Sequence, residues 1–151
     1  MLKNLKQWLL LTLEKRALEY AYTKHLGQVD DDGLPYIFHC MDVHTILKTV
    51  TNDQEILAAA YLHDTLEDTN ATYDELKERF GQRVADLVLE VTHEGKKDNY
   101  GFYFPRLKSR DAILIKFADR LSNLARMDSW DDERKQQYLN KSKFWKDGKE
   151  K

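Results

Sequence analysis

A single cysteine, Cys40, occurs in the chain. That excludes an internal disulfide framework and fits a reducing compartment. Long apolar runs are missing as well: the stretch nearest the start, Trp8 to Leu13, contains Thr12 and stops at Glu14-Lys15-Arg16, too short to span a membrane. It lacks a clear signal-peptide cleavage site, so a cytoplasmic protein is expected. Neither sign of charge dominates, with 24 Lys and Arg against 26 Asp and Glu and a formal net charge of −2. The bulk basic field of a nucleic-acid binder is therefore absent, and neither a nucleic acid nor a membrane is an expected partner. No internal repeat, domain linker or strand-rich segment interrupts the chain. What remains is 151 residues, 42% hydrophobic and 33% charged, which suits one globular domain with its own core.

The pattern is helical throughout. Leu5, Leu9, Leu13, Ala17 and Ala21, with Trp8 and Tyr20 beside them, predict one long amphipathic helix over residues 3–24. Asp30-Asp31-Asp32-Gly33 is a turn signal. It lacks the ligand spacing and closing glutamate of an EF-hand, so it reads as a solvated turn. Pro35 to Phe38 is an extended lead-in, and His39 opens a second helix with Val43, Ile46, Leu47 and Val50 on its inward stripe. His39 lies one turn before Val43, on the same face. Cys40 reads as a small buried hydrophobe, and His44 points off the stripe toward the surface.

Asn52 or Asp53 caps a third helix that is apolar on every side from Ile56 to Leu62, as a helix buried all round would be. Thr72-x-x-Glu75 is a capping box, and Gly81 stops the short helix that it starts. Val84, Leu87, Val88 and Val91 form another stripe. From Glu94 to Lys108 the pattern breaks into a connector or ligand lid. Its lysines, Lys96 and Lys97, have aromatic neighbours that would suit phosphate and base contacts. Ala112 to Ala125 is a second buried helix, with Leu114, Phe117, Ala118 and Leu121 expected to pack. Lys116, Asp119 and Asn123 share one face of it, with Arg120 beside them. A last helix covers residues 131–145, and a lysine-rich tail over 146–151 is expected to fray, leaving residues 1–145 as a single domain.

The buried helix ends in His63-Asp64, with Glu67-Asp68 one turn later. Burying charge costs several kcal/mol, on the order of a whole protein's stability margin, unless the charge is paired or holds a metal. The polar residues aimed inward are His39, His63, Asp64 and Asp119. Two imidazoles and two carboxylates without thiolate suit Mn²⁺, Fe²⁺, Co²⁺ or Zn²⁺. Such an ion acidifies water to a usable nucleophile near neutral pH. Glu67 and Asp68, one turn from His63 and Asp64, can orient that water, take its proton or protonate a leaving oxygen. Lys116 and Asn123 can hold phosphate oxygens or a sugar hydroxyl. The residues alone thus point to metal-assisted hydrolysis, foremost of a phosphoester.

His39, His63-Asp64 and Asp119 together resemble the scattered H…HD…D signature of the HD-domain phosphohydrolases. Gly27-Gln28…Gly33-Leu-Pro-Tyr-Ile-x-His39 resembles the opening motif of the hydrolase domain of RelA/SpoT-type enzymes and of stand-alone small alarmone hydrolases. Ala59-Ala-Tyr-Leu-His-Asp-Thr-Leu-Glu-Asp-Thr69 resembles their central motif. Phe80-Gly81…Val84…Leu87-Val88…Val91-Thr92 and Ile115-Lys-Phe-Ala-Asp-Arg-Leu-Ser-Asn123 are similar to the later segments of those enzymes. The resemblance spans Ala17 to Arg126. It implies an all-α, compact HD-domain helical bundle and Mn²⁺-dependent removal of the 3′-pyrophosphate from ppGpp or pppGpp. It also implies His39, His63, Asp64 and Asp119 as metal ligands and Glu67 and Asp68 as the catalytic acidic pair. Asn123, Lys116, Tyr36, Lys96 and Lys97 are the substrate contacts expected on this reading. Nothing in the chain corresponds to a synthetase domain.

Two departures stand out. The family usually places Arg, often with a second basic residue after it, beyond the Gly-Gln segment to pack on guanine. Here that stretch is Val29-Asp30-Asp31-Asp32, which removes a cation–π contact and predicts a weakened base-recognition edge. The proline that commonly comes after the first ligand histidine is replaced by Cys40. The same chemistry on another nucleotide, such as the 2′-phosphate of NADPH, is therefore a second reading. A catalytically weak regulatory module that binds metal or nucleotide is a third.

Overall fold

The computed structural model describes residues 4–93, 97–98, 101–102 and 107–142. Its helices are α1 (Leu5–Leu9), α2 (Leu13–Lys24), α3 (Ile37–Lys48), α4 (Gln54–Leu62), α5 (Thr65–Asp68), α6 (Tyr73–Phe80), α7 (Gln82–Val91), α8 (Arg110–Leu124) and α9 (Asp132–Ser142). Two short strands, β1 (Lys97–Asp98) and β2 (Gly101–Phe102), pair antiparallel between α7 and α8. The fold is all-α apart from that hairpin. Among the described residues no helix is long and apolar enough to cross a membrane.

The hub is α4. Every residue from Ile56 to Leu62 is buried, and α2, α3, α7 and α8 all pack against it. Ala58, Ala59 and Ala60 carry no bulk, and α2 contributes Ala17 and Ala21, each fully buried. Small side chains let helix axes come close. Asp53 starts α4 by accepting hydrogen bonds from the backbone N–H of Glu55 (3.0 Å) and Ile56 (3.4 Å).

The predicted helix over 3–24 is broken. Thr12 accepts from Lys15 N at 3.3 Å and starts α2 anew, because its hydroxyl offers the backbone a cap. Leu5 and Leu9 on α1 are left exposed while Trp8 packs edge-on against Phe80. Thr72 caps α6 through Glu75 N at 3.2 Å, but the Glu75 carboxylate faces Lys24 and Arg79. Gly81, at φ 93°, separates α6 from α7 as expected.

Three other expectations are corrected. His44 is buried, stacked on Tyr61 with ring centroids 4.2 Å apart and 3.0 Å from Glu14 Oε2. A histidine off the apolar stripe of α3 is taken inward because α2 supplies a carboxylate for it. Val50 lies beyond the end of α3 and is exposed. On α8 the inward residues are Ala112, Ile115, Lys116, Ala118, Asp119 and Ser122, while Phe117 and Leu121 keep 43% and 54% of their surface. The polar stripe of α8 is the core-facing one.

Candidate metal centre

Three chain segments deliver one cluster. His39 comes from the first turn of α3, His63 ends α4, Asp64 precedes α5 and Asp119 sits in α8. One ligand atom from each lies within 4.8 Å of all the others. His39 Nε2 is 2.9 Å from Asp119 Oδ1 and 3.6 Å from Asp64 Oδ2. His63 Nε2 is 2.9 Å from Asp64 Oδ2 and 3.4 Å from Asp119 Oδ1.

The backs of both imidazoles are spoken for. His63 Nδ1 donates to the Ala60 carbonyl at 2.8 Å. His39 Nδ1 donates to Ser122 Oγ at 3.1 Å, and that hydroxyl donates on to Asp42 Oδ2 at 2.6 Å. Both Nε2 atoms are therefore turned toward carboxylates, with the orienting partners that metal-binding histidines usually have. His63 Nε2 is buried without an aligned hydrogen-bond partner. The donor set fits a divalent cation: two Nε2 lone pairs and two carboxylates converge in a nearly dry place.

The electrostatics of the cluster follow from the same distances. Burial opposes charge on His63, but Asp64 and Asp119 outweigh it and hold its pKa well above the usual imidazole range. Burial likewise opposes ionisation of Asp119, yet Lys116 and the two histidines keep its pKa well below the ordinary carboxylate value. Burial works against the Asp64 carboxylate too, and the neighbouring His63 overcomes it and lowers its pKa. Asp68 goes the other way: desolvation first, then the charges of Asp64 and Glu67, push it up to about 6.

Around the cluster, Tyr36 donates to Asp64 Oδ2 at 2.6 Å. Glu67 Oε1 accepts from the backbone N–H of His93 at 2.6 Å. Lys116 Nζ and Arg120 Nη1 lie 3.5 Å and 3.4 Å from Asp119 Oδ2. A cavity of about 160 Å³ opens here, with Glu67, Lys116, Arg120 and Asn123 in its wall. Asp68 joins Asp64 and Glu67 in a second acidic group of the same spacing. Of the other expected contacts, Lys96 lies outside the described residues, and Lys97 opens β1 with a side chain outside them.

Ser122, Asp42 and His93 were not singled out from the sequence. The first two carried a legible signal: Ser122 comes three residues after Asp119 and Asp42 three after His39, each one turn away on its helix. The contact of His93 with Glu67 crosses 26 residues and has no local signature.

The acidic loop also differs from expectation. Asp30 Oδ1 accepts from the backbone N–H of Asp32 and Leu34, both at 2.9 Å, and its Oδ2 is 3.2 Å from Arg126 Nη1. Asp31 pairs with Arg134. The loop is not a bare patch of negative charge: it gathers guanidinium groups from the segment after α8.

Comparison with known proteins agrees with this geometry. The HD domain family matches residues 17–100, which include His39, His63 and Asp64. A guanosine-3′,5′-bis(diphosphate) 3′-pyrophosphohydrolase of Aquifex aeolicus is 44% identical over 118 residues, covering 73% of this chain and 17% of the relative. The Drosophila melanogaster enzyme of the same name, MESH1, is 36% identical over 138 residues, covering 81% of this chain and 76% of MESH1. The bifunctional (p)ppGpp synthase/hydrolase SpoT of Escherichia coli is 36% identical, and the match covers 76% of this chain and 18% of that protein. The chain thus spans less than a fifth of the bacterial relatives' length. A solved structure described as a metazoan ortholog of SpoT that hydrolyses ppGpp superposes with a TM-score of 0.74 at 33% identity, covering 88% of this chain and 83% of the other. With more than half of its residues matched and three of the four cluster residues inside the match, the chain belongs to the HD-domain family.

Proposed function

We propose that this protein is a divalent-metal-dependent hydrolase that removes the 3′-pyrophosphate from ppGpp or pppGpp. The observation that carries the reading is the convergence of His39, His63, Asp64 and Asp119 within 4.8 Å, beside a cavity walled by Glu67, Lys116 and Asn123. The names of the relatives support the substrate.

A divalent cation bound by the four residues, Mn²⁺ on this reading, supplies Lewis acidity that polarises a phosphoryl oxygen and acidifies water. The chain's own groups do the rest. Glu67, steadied by the His93 N–H, takes the proton of the attacking water. Asp68, pushed up to about 6, is protonated in a minor fraction near neutral pH, far more than an ordinary aspartate, and can supply a proton to the leaving ribose oxygen. Lys116 and Arg120, on the far oxygen of Asp119, put positive charge where pyrophosphate oxygens would sit. Asn123 and Tyr36 border the same space and bind the ribose side. Residues 1–145 act as one domain on this reading, and the lone buried thiol of Cys40 fits the cytoplasm. The pairing of Asp30 and Asp31 with arginines removes the support that a bare acidic loop lent to a different nucleotide such as NADPH.

The test is pyrophosphate release from ppGpp by purified protein with added Mn²⁺, with EDTA as control. Metal-dependent release is expected. No release by protein that has taken up the metal would discard the substrate.

A further inference from the structure

The two histidines of the cluster are held from behind in different ways. His63 Nδ1 faces the Ala60 carbonyl at 2.8 Å. A backbone carbonyl can only accept, so the proton sits on Nδ1 and Nε2 keeps its lone pair. His39 is held by a side chain instead. Its Nδ1 meets the Ser122 hydroxyl at 3.1 Å, across 83 residues, and a hydroxyl can donate or accept. A Ser122 that donated to Nδ1 would leave the neutral ring with its proton on Nε2, where it could bind no cation. The form of His39 therefore depends on where Ser122 sends its one proton.

The third member of the chain is Asp42. Ser122 Oγ lies 2.6 Å from Asp42 Oδ2, within the range of about 2.5–2.7 Å for a hydroxyl donating to a carboxylate. A carboxylate has no proton to give. The Ser122 proton goes to Asp42, and the hydroxyl oxygen is left to accept from His39 Nδ1–H. We infer that Asp42 is a positioning residue of the metal centre: through Ser122 it fixes the tautomer of His39, and so sets the affinity of the site for a divalent cation. The inference rests on the metal-binding part of the proposed function and is independent of the substrate.

The packing supports this role. Asp42 stands outside the set of atoms that converge within 4.8 Å, so it acts on the site only through its neighbours. Ser122 is 0% exposed, which leaves its hydroxyl no bulk water to turn to. Asp42 lies one turn after His39 on α3, and Ser122 one turn after Asp119 on α8. The Ser122–Asp42 bond and the His39–Asp119 contact of 2.9 Å are thus two rungs between the same two helices, and His39 is gripped at both nitrogens. A carboxylate behind the ring also makes its far nitrogen a stronger donor to a metal.

The probe is Mn²⁺ alone, titrated into the metal-free full chain and followed by the electron paramagnetic resonance signal of free aqueous Mn²⁺. Asp42→Asn keeps the shape, removes the charge and offers Ser122 an N–H, which turns the hydroxyl proton toward His39. It is expected to weaken Mn²⁺ binding about tenfold or more, as loss of the partner of a metal-binding histidine does. Ser122→Ala is expected to weaken it to a similar extent. Once Ser122 is replaced, Asp42→Asn is expected to change Kd by less than about twofold, because the link is already cut. Should Ser122→Ala not fold, Asp42→Ala replaces it: it gives Ser122 no rival donor, so it is expected to bind Mn²⁺ more tightly than Asp42→Asn. A residue that only fastened α3 to α8 would lower the melting temperature in EDTA and leave Kd where it was. The same Kd in Asp42→Asn and wild type would overturn the inference, whatever the melts show. A tenfold loss that persists in the Ser122→Ala background, or equal losses in Asp42→Ala and Asp42→Asn, would overturn it too, since Asp42 would then act by charge alone. Asp42-dependent Mn²⁺ binding without turnover of ppGpp would uphold the relay and discard the substrate. Turnover of ppGpp with Kd indifferent to Asp42 would do the reverse.

Discussion

Asp119→Asn keeps the shape of the side chain and removes one charge. Asp119 is 5% exposed. Its Oδ1 faces His39 Nε2 at 2.9 Å and His63 Nε2 at 3.4 Å, and its Oδ2 faces Lys116 at 3.5 Å and Arg120 at 3.4 Å. Against these attractions stand repulsions from Asp64 and Asp68, which the substitution relieves. Four donors against two acids, the second of them only a weak contributor, means the loss dominates. Breaking a buried pair by removing one partner costs about 3–5 kcal/mol. A chain of this size loses about 2–4 °C of Tm per kcal/mol, so the variant in EDTA should melt about 6–20 °C below wild type. Metal adds a second, independent readout. Free Mn²⁺ at about 100 times its Kd stabilises wild type by about 2.7 kcal/mol, or roughly 5–11 °C. The variant should lose most of that rise. Thermal melts monitored by circular dichroism, with EDTA and with Mn²⁺, give both numbers. Equal melting temperatures in EDTA would refute the charge argument, and an undiminished Mn²⁺ response would remove Asp119 from the metal centre.

Glu67→Gln should keep stoichiometric Mn²⁺ and slow hydrolysis at least about tenfold, and by about 10²-fold or more if its proton transfer is fully lost; an unchanged kcat would take Glu67 out of the mechanism. Leu57→Ala, at a fully buried position of α4, should cost about 2–5 kcal/mol in urea unfolding, and a loss below about 1 kcal/mol would contradict its place in the core. His25 is 3% exposed and its pKa is lowered from 6.5, first by burial, with the Gln28 side chain opposing. The folded state therefore binds fewer protons than the unfolded chain, so this stability is complete above pH 6.5 and is lost as pH falls toward the folded pKa. His25→Gln should flatten the fall in Tm between about pH 7 and about pH 5 in EDTA; an unaltered slope would assign that fall to other groups.

The central helix and the contents of the site were legible in the chain alone. Seven consecutive buried residues from Ile56 to Leu62 leave no amphipathic alternative. Asp53 and Gly81 mark helix boundaries through a cap and a positive φ, which act within a few residues. His39, His63, Asp64 and Asp119 could be found because each falls on an inward face or at the end of a buried element. Packing settled the rest. The hydrophobic period places Phe117 and Leu121 on one face of α8, but a neighbouring cluster of histidines and carboxylates makes the opposite, polar face the inward one. His44 is inward because Glu14 comes from another helix to meet it. The three aspartates after Val29 read as a solvated turn until Arg126 and Arg134 arrive from about a hundred residues away. Periodicity and capping are properties of a single turn, so they can be read locally. Which charges meet across the fold depends on where the packed helices bring distant segments together, and no local pattern encodes that.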